Sequence, residues 1–296
     1  MKAIIPAAGH GTRLEPHTLK IAKCLFPVAG KPTLEHILNK LFAADITEII
    51  LIIGHLGEQV RNYCKQYSNI TFQFIEQHER LGLGHAVYQG LEQLDEPVLI
   101  ILGDTILELD YKRFISFNSS AVGLEYVQDP ERFGVVELDK DRIVRFVEKP
   151  SDPPSNLALC GIYYISSQKD LSKGIEYLIE NDIRTKNEYQ LTDALGVMLR
   201  EGHRFLPFEI DCSLDCGIPE TIFSTNKTLL ERKEENVISN TSTIVKSKLS
   251  YCTISENCVV HNSRLHNVIM LPGSKVKNQK LENVIIGFDE CLDSNM

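Results

Sequence analysis

The sequence has no tryptophan, no apolar run long enough to cross a membrane and no surplus of basic residues. A membrane-spanning helix needs roughly 18–20 consecutive apolar residues, and no stretch of this chain contains them. The net charge of -9 argues against a general nucleic-acid binder, which would carry a basic face. The opening MKAIIP is too short for a secretory signal and leads straight into a loop. We therefore expect a cytoplasmic protein without a membrane or nucleic-acid partner.

The eight cysteines include no C-x-x-C pair. Cys212 and Cys216 lie four positions apart and Cys252 and Cys258 lie six apart, but the companion ligands of a zinc site are missing. We interpret these cysteines as thiols kept in a reducing compartment rather than as ligands of a structural metal.

The chain of 296 residues, of which 43% are apolar, is long enough to bury a full core. In its first part, short apolar runs at residues 2–6, 48–53, 71–75 and 98–102 predict parallel strands covered on both faces. Amphipathic stretches at 33–42, 84–94 and 188–201 predict helices between them. This alternation predicts a doubly wound α/β sheet, which binds its ligand beyond the carboxyl ends of its strands.

From about residue 120 the pattern changes to shorter alternating strands: AVGLEYV, GVVEL, RIVRFVE and LALCGIYYI. They predict an antiparallel or mixed extension of the sheet, followed by a closing helix at 219–233. The expected fold is therefore a Rossmann-like mixed sheet with helices on both faces.

The last sixty residues carry apolar residues every five or six positions, with small and polar residues between them. This spacing predicts a short parallel, left-handed β-helix of two or three coils. A plain β-hairpin tail is the competing interpretation. We expect two domains, residues 1–236 and residues 237–296.

The most informative segment is PAAGHGTRL, residues 6–14, directly after the first predicted strand. Its small residues allow backbone N–H groups to approach phosphate oxygens and a base edge. The segment is neither a Walker A loop nor the G-x-G-x-x-G dinucleotide motif. Arg13 and Lys23 stand ten residues apart on a proline-stiffened loop, so both cations can converge on one polyphosphate.

The continuation G-x-G-T-R-L-x-P-x-T…K-x-L-x-P-V-x-G-K-P resembles the opening motif of the sugar-phosphate nucleotidyltransferases. The chain is most similar to the glucose-1-phosphate thymidylyltransferases and the related uridylyltransferases. The resemblance extends to about residue 226, roughly three-quarters of the chain. It implies that a nucleoside monophosphate is transferred from dTTP or UTP to a sugar 1-phosphate, with glucose 1-phosphate as the expected acceptor. The reaction would release pyrophosphate and depend on Mg²⁺.

The resemblance also implies roles for residues on the nucleotide side. Arg13 would hold the β- and γ-phosphates, and Lys23 would bridge the phosphates during transfer. Gln77 and Gly82, in the segment EQHERLG, match the family's base-contacting positions, and a glutamine amide offers both a donor and an acceptor to a pyrimidine edge. The full set of implied nucleotide-binding residues is Ala8, Gly9, Gly11, Thr12, Arg13, Gln77 and Gly82.

The metal and sugar residues are implied in the same way. Asp104, after the VLIIL strand, and Asp215 match the metal-binding carboxylates, which suit the preference of Mg²⁺ for hard oxygen ligands. Catalysis would rest on Arg13, Lys23 and Lys149, because a phosphate monoester is already a nucleophile and needs only positioning and charge neutralisation. The implied sugar-binding residues are Gly134, Glu148, Lys149, Gly161 and Tyr163.

Two positions depart from the family pattern. Ala22 replaces the proline before the loop lysine, and Ser213 replaces a tryptophan near the sugar pocket. The change at position 213 leaves the identity of the sugar open. The choice between dTTP and UTP also stays open, because their bases differ by only one methyl group. A catalytically silent, nucleotide-sugar-binding regulatory homologue is the main alternative.

A second alternative is a bifunctional enzyme in which the tail adds acyl transfer. His261 and His266 fit that idea poorly, because we expect them to face solvent. We instead expect a homo-oligomer in which the tail serves assembly or packing. Removal of residues 238–296 should then change assembly or stability more than chemistry.

Overall fold

The structure, a computed structural model, describes residues 1–294. Its α-helices are α1 (Thr33–Ala43), α2 (Gly57–Cys64), α3 (Leu83–Gly90), α4 (Tyr111–Phe114), α5 (Gln168–Glu180), α6 (Leu191–Arg200) and α7 (Pro219–Glu231). The strands up to residue 215 are β1 (Lys2–Pro6), β2 (Pro27–Val28), β3 (Lys31–Pro32), β4 (Glu48–Ile53), β5 (Thr71–Glu76), β6 (Val98–Ile101), β7 (Thr105–Glu108), β8 (Ser120–Tyr126), β9 (Gly134–Asp139), β10 (Arg142–Glu148), β11 (Leu157–Ile165), β12 (Phe205–Glu209) and β13 (Cys212–Asp215). The tail adds β14 (Val237–Ile238), β15 (Thr243–Val245), β16 (Lys248–Ser250), β17 (Thr253–Ile254), β18 (Val259–His261), β19 (Arg264–Met270), β20 (Lys275–Lys277), β21 (Lys280–Ile286) and β22 (Cys291–Asp293).

The described chain divides into two compact units. Unit 1 comprises Met1–Gly9 and Ile37–Ser213, and unit 2 comprises His10–His36 together with the chain from Leu214 onwards. The domain boundary expected after residue 236 stays a prediction.

Unit 1 is built on a nine-stranded mixed sheet. Strands run in the order β10-β9-β11-β6-β1-β4-β5, and β8 joins β11 to β12. The central strands β1, β4 and β6 are parallel, with Ile4 opposite both Ile50 and Ile100. These three side chains are almost completely buried, as the continuous apolar runs predict. The antiparallel pairing of β11 with β6 makes the sheet mixed, which confirms the predicted fold class.

Several elements differ in extent from the sequence prediction. The strand at 71–76 lies at the end of the sheet, and its side chains are half-buried or exposed rather than covered. The helix predicted to reach residue 94 ends at Gly90, where a β-carbon would lie 3.1–3.3 Å from Ile52, Ile4 and Ile50. Gly90 therefore packs closely on the sheet, and the next residue, Leu91, has an extended backbone that ends the helix. Helices α2, α4 and α5 were not predicted.

The tail in unit 2 forms three parallel ladders whose register advances by sixteen residues. Val237 pairs with Thr253, Thr243 with Val259, and Lys248 with Arg264, and the following coils repeat each step. The apolar residues at the predicted spacing fill the interior of these coils. Stacked parallel coils confirm the predicted β-helix rather than the β-hairpin, and the left-handed sense of the coil stays a prediction.

The corners of the β-helix share one backbone conformation. Left-handed φ angles between 46° and 78° occur at Lys246, Asn262 and Asn278, at Tyr251, Asn267 and Asn283, and at Asn257 and Gly273. Asparagine and glycine adopt this conformation at lower cost than other residues. Each corner therefore recurs with the sixteen-residue period of the ladders.

Residues 10–36 of unit 2 pack against the first tail strand. Strands β2 and β3 form a hairpin in which both turn residues, Ala29 and Gly30, have positive φ, as a type I′ turn requires. A β-carbon on Gly30 would lie 2.2 Å from Val237 Cγ1. Among the described residues, no helix combines the length and apolar character needed to cross a membrane.

We predict that Gly30→Ala destabilises the protein more than Gly202→Ala. Both glycines have positive φ, but a β-carbon at Gly202 would meet no atom within 4 Å. Gly202→Ala should cost about 1–2 kcal/mol for the left-handed backbone, and the collision with Val237 should add about 1–3 kcal/mol. Urea unfolding of both variants measures the difference. Equal losses of stability would contradict the packing of the hairpin on the tail.

Candidate active site

The segment after β1 combines a tightly packed residue with an open one. Ala8 is 4% exposed, and a β-carbon on Gly54 would lie 2.8 Å from its carbonyl oxygen. By contrast, a β-carbon on Gly9 would meet nothing within 4 Å. Packing within the described chain explains Gly54 but not Gly9, so the space beside Gly9 is available to a ligand.

Asp104 stands on a turn that is packed against the end of β1. The Gly103 N–H donates to the carbonyl oxygen of Pro6 at 3.3 Å, and a β-carbon on Gly103 would lie 2.9 Å from that oxygen. Thr105 Oγ1 donates to Asp104 Oδ1 at 3.4 Å. The Asp104 carboxylate is therefore held at the carboxyl edge of the sheet, beside the segment that begins at Ala7.

Gly161 reaches the same turn from β11. Its φ is 85°, its carbonyl accepts the Leu102 N–H at 2.9 Å, and a β-carbon would lie 2.8 Å from Leu102 Cδ1. Glycine is thus required here by packing. The predicted contact of Gly161 with the sugar stays a prediction.

The structure brings Gly134, Glu148 and Lys149 together. Gly134 pairs with Glu148 across β9 and β10. The Glu148 carboxylate is only 8% exposed, and Lys149 Nζ lies 3.3 Å from its Oε1. Lys149 has a positive φ of 40°, and its N–H donates to the Phe133 carbonyl at 3.0 Å. A largely buried carboxylate and an exposed lysine thus stand side by side.

Thr192 completes this cluster and was not identified from the sequence. Its Oγ1 donates to Glu148 Oε2 at 2.7 Å. A β-carbon on Gly134 would lie 2.8 Å from Thr192 Oγ1 and 2.9 Å from Glu148 Oε2. Glycine at position 134 therefore leaves the room in which this hydrogen bond forms. In the sequence, a threonine in the first turn of α6 is indistinguishable from an ordinary helix-start residue.

Tyr163 lies inside the core of unit 1. Its side chain is 3% exposed and belongs to the main apolar cluster. Burial, with the nearby Glu148 carboxylate and the Cys160 thiol, raises the pKa of Tyr163. Its predicted contact with the sugar stays a prediction, and its observed environment is that of a supporting residue.

Gln77 and Gly82 flank the end of β5. The Gln77 N–H donates to the Ile53 carbonyl oxygen at 2.8 Å, and this hydrogen bond extends the β4–β5 ladder by one residue. Within residues 1–294 its side-chain amide makes no hydrogen bond, so both its donor and its acceptor are available. Gly82 has a φ of 112°, and a β-carbon would lie 2.7 Å from the Tyr189 carbonyl oxygen and from Glu188 Cβ.

In unit 2, Gly11 and Lys23 pack directly on each other. A β-carbon on Gly11, whose φ is 66°, would lie 3.2 Å from Lys23 Cβ and 2.9 Å from Thr18 Cγ2. Thr18 Oγ1 donates to the Gly11 carbonyl at 2.8 Å. A 3₁₀ turn, Thr12–Leu14, follows Gly11 and leaves Arg13 exposed. The predicted phosphate-binding residues Gly11, Thr12, Arg13 and Lys23 are therefore brought onto one compact segment.

Asp215, also in unit 2, precedes α7. Its Oδ1 accepts the Gly217 N–H at 2.8 Å, and its carbonyl accepts Thr225 Oγ1 at 2.9 Å. Among the described residues, no group of three or more His, Cys, Asp and Glu side chains could hold a metal. Asp104 and Asp215 offer carboxylate oxygens, which fit Mg²⁺ when phosphates and water supply the other ligands.

Ser213, where the family carries a tryptophan, interacts with Glu125 on β8. Burial raises the pKa of the Glu125 carboxyl, and hydrogen bonds with the Ser213 side chain and backbone partly oppose this rise. The departure at position 213 thus replaces a large aromatic ring with a polar contact.

Asp193, next to Thr192 on α6, is a poorly stabilised carboxylate. Its Oδ2 is buried and has no hydrogen-bond partner among the described residues. Burial raises the pKa of Asp193. A hydrogen bond with Thr185 lowers it, the Glu148 carboxylate raises it further, and Arg200 lowers it. The ionised form is therefore less favourable in the folded protein than in the unfolded chain.

Together these features define an α/β protein with a glycine-containing segment that carries Arg13 and Lys23 and with a separate carboxylate–lysine cluster. The nucleotidyl transferase family model matches residues 2–232. The chain therefore belongs to the nucleotidyl transferase family, which confirms the class predicted from the motif after β1.

Two curated relatives show the range of the similarity. The bifunctional protein GlmU of Methanocaldococcus jannaschii is 35% identical over 257 residues, which are 83% of this chain and 60% of the relative. The UTP–glucose-1-phosphate uridylyltransferase AglF of Haloferax volcanii is 30% identical over 230 residues, 74% of this chain and 93% of the relative. The chain spans about 60% of the length of the first of these relatives.

Solved structures agree with this assignment. A UDP-glucose pyrophosphorylase in complex with UDP-glucose superposes with a TM-score of 0.68 at 26% identity, covering 79% of this chain and 99% of that one. A glucose-1-phosphate thymidylyltransferase from Bacillus anthracis, described as putative, gives a TM-score of 0.65 at 28% identity, covering 76% of this chain and 94% of that one.

We predict that Asp193→Asn stabilises the protein at pH 7. A carboxyl with a raised folded-state pKa weakens folding as the pH rises through its ordinary titration range, because the unfolded chain releases the proton first. The neutral amide avoids this loss, and we expect a gain on the order of 1 kcal/mol. Urea unfolding at pH 7 and pH 3 measures it. The advantage should shrink at pH 3, and a variant less stable by the same amount at both pH values would contradict the prediction.

Proposed function

We propose that the protein transfers a nucleoside monophosphate from UTP or dTTP to a sugar 1-phosphate, releasing pyrophosphate in a Mg²⁺-dependent reaction. Glucose 1-phosphate is the expected acceptor. The observation that carries the proposal is the packing of Lys23 on Gly11, which holds two cations on one glycine-containing segment. The named activity of AglF and the UDP-glucose bound to the similar pyrophosphorylase support the substrate class.

On the nucleotide side, Arg13 and Lys23 bind the triphosphate. Arg13 is exposed, and its guanidinium can chelate the oxygens of the departing β- and γ-phosphates. The compact Gly11–Lys23 contact limits the positions that the Lys23 ammonium can reach. The open space beside Gly9 and the available amide of Gln77 accommodate a pyrimidine base. An amide donor with its adjacent acceptor matches the imide edge of uracil or thymine.

On the sugar side, Glu148 accepts hydrogen bonds from sugar hydroxyls and Lys149 neutralises the sugar phosphate. The hydrogen bond from Thr192 fixes one oxygen of the Glu148 carboxylate, and the other oxygen lies beside Lys149. Holding both groups in one geometry reduces the entropy lost when the sugar phosphate is positioned.

The reaction needs no covalent intermediate and no general base. A phosphate oxygen of the sugar 1-phosphate attacks the α-phosphorus, the bond from the α-phosphorus to the bridging oxygen breaks, and pyrophosphate departs from the opposite side. Asp104 and Asp215 would each offer a carboxylate to Mg²⁺, which would offset the charge of the phosphates when bound. Arg13, Lys23 and Lys149 lower the repulsion between the two anionic substrates. The cytoplasmic location and the homo-oligomeric state stay predictions.

A matrix of nucleotides against sugar 1-phosphates, read by pyrophosphate release, tests the proposal. We expect turnover with UTP or dTTP and loss of turnover when EDTA removes the divalent metal. ATP and GTP serve as controls for base recognition. A purified protein that binds the nucleotide and the sugar phosphate but releases no pyrophosphate in any combination would instead be a silent regulatory homologue.

We predict that Lys149→Ala lowers kcat/KM by about a hundredfold to a thousandfold, equivalent to about 3–4 kcal/mol. Lys140→Ala is the matched control, because Lys140 is also an exposed lysine with positive φ, 55° against 40° for Lys149. Steady-state kinetics with varied sugar phosphate measures both variants. Lys140→Ala should keep the activity of the unmodified protein. Similar losses of kcat/KM in the two variants would contradict a specific role of Lys149 in catalysis.

A further inference from the structure

Asn226 of α7 uses its complete hydrogen-bonding capacity inside unit 2. Its Oδ1 accepts from the Ala29 N–H at 3.0 Å and from Thr253 Oγ1 at 2.7 Å. Its Nδ2 donates to the Tyr251 carbonyl at 3.0 Å and to Asn267 Oδ1 at 3.2 Å. An asparagine amide has two donors and two acceptor positions, and all four are occupied. The side chain is 0% exposed, so water cannot replace a lost partner.

The network joins three segments that are distant in sequence. Ala29 belongs to the β2–β3 hairpin, Asn226 to α7, and Tyr251, Thr253 and Asn267 to the β-helix. Asn267 continues the chain of contacts, because its Nδ2 donates to the Phe223 carbonyl at 3.1 Å and to Asn283 Oδ1 at 2.7 Å. Buried polar networks with every group satisfied rigidify the elements that they connect.

The hairpin held by Asn226 is continuous with the proposed phosphate-binding segment. The Thr33 N–H donates to the Phe26 carbonyl at 3.2 Å, and the Phe26 N–H donates to the Lys23 carbonyl at 3.1 Å. Ala29 has a positive φ of 48°, a conformation that a non-glycine residue keeps only when its surroundings enforce it. The hydrogen bond from Ala29 to Asn226 supplies part of that enforcement.

The far end of the β-helix also contacts this segment. A β-carbon on Gly287 would lie 3.6 Å from His17 Nδ1, and Lys20 Nζ lies 5.8 Å from the centre of the Phe288 ring. Residues 10–36 therefore rest on the tail at both its first and its last coil.

We propose that Asn226 is a positioning residue for nucleotide binding, and that the β-helix tail is the platform on which it holds the Lys23 segment. The inference rests on the proposed function, because the proposed function is what assigns triphosphate binding to the segment that carries Lys23. Loss of the Asn226 network frees the hairpin and with it the backbone of Lys23. Small displacements of a positioned cation are costly in a reaction that depends on geometry.

Asn226→Ala tests the proposal, with Asn283→Ala as the matched control. Asn283 forms an asparagine ladder with Asn267, whose Nδ2 donates to Asn283 Oδ1, but Asn283 is exposed and, among the described residues, has no hydrogen bond to the hairpin. At a temperature where both variants are folded, Asn226→Ala should raise KM for the nucleotide at least tenfold and leave KM for the sugar phosphate within twofold. Asn283→Ala should leave both constants within twofold. A merely structural role would lower the melting temperature without separating the two KM values.

Thr253→Val provides a milder variant if Asn226→Ala does not fold, because it removes only the hydroxyl that donates to Asn226 Oδ1. We expect Thr253→Val to raise KM for the nucleotide at least threefold. Thr253→Ser, which keeps the hydroxyl, should have the same KM for the nucleotide as the unmodified protein. Hydrogen exchange of residues 23–32, measured without ligands, should be faster in Asn226→Ala and Thr253→Val.

Two outcomes separate this inference from the proposed function. If the unmodified protein turns over and both variants keep KM for the nucleotide within twofold, the positioning role is wrong and the proposed function stands. If the unmodified protein neither binds nor uses a nucleoside triphosphate, the proposed function is wrong and the positioning role falls with it.

Discussion

The parallel pairing of β1 with β4 and β6 is the constraint on which the candidate site of unit 1 depends. Parallel strands end at one edge of a sheet, so the segments that follow them must share that edge. Here Gly54 packs on Ala8 and Gly103 packs on Pro6 so closely that a β-carbon on either glycine would meet a backbone carbonyl oxygen at 2.8–2.9 Å. The turn that carries Asp104 owes its position to this crowding. Burial of the three strands therefore organises the site before any ligand binds.

Much of unit 1 could be predicted because its signals are local. Continuous apolar runs identified β1, β4 and β6, and the motif after β1 identified the family. Element ends were harder to predict, since they depend on tertiary contacts such as the packing of Gly90 against Ile4 and Ile52. Thr192 could not be found for the same reason. Its place in the cluster is defined by a hydrogen bond to Glu148, which is 44 positions away in the sequence.

The tail shows a different limit of sequence reasoning. Its apolar spacing predicted the coils. The asparagines at the left-handed corners also recur sixteen residues apart, Asn262 with Asn278 and Asn267 with Asn283, and this recurrence would have given the period as well. What the spacing could not reveal is that residues 10–36 belong to the same compact unit as the tail. The sequence suggested a tail that serves assembly or stability more than chemistry. That role stays a prediction, and the contacts of Ala29, Gly30 and His17 are compatible with packing, because they connect the tail to the segment that carries Arg13 and Lys23.

The sixteen-residue coil also restricts how the length of this tail can change during evolution. A whole coil can be gained or lost while every interior residue still meets its equivalent in the next layer, and the asparagine ladder is simply lengthened or shortened. A change of any other length would turn interior residues such as Val260 and Leu265 towards water and break the corner series. Tail length should therefore vary among close homologues in whole-coil steps, with irregular insertions confined to the corners.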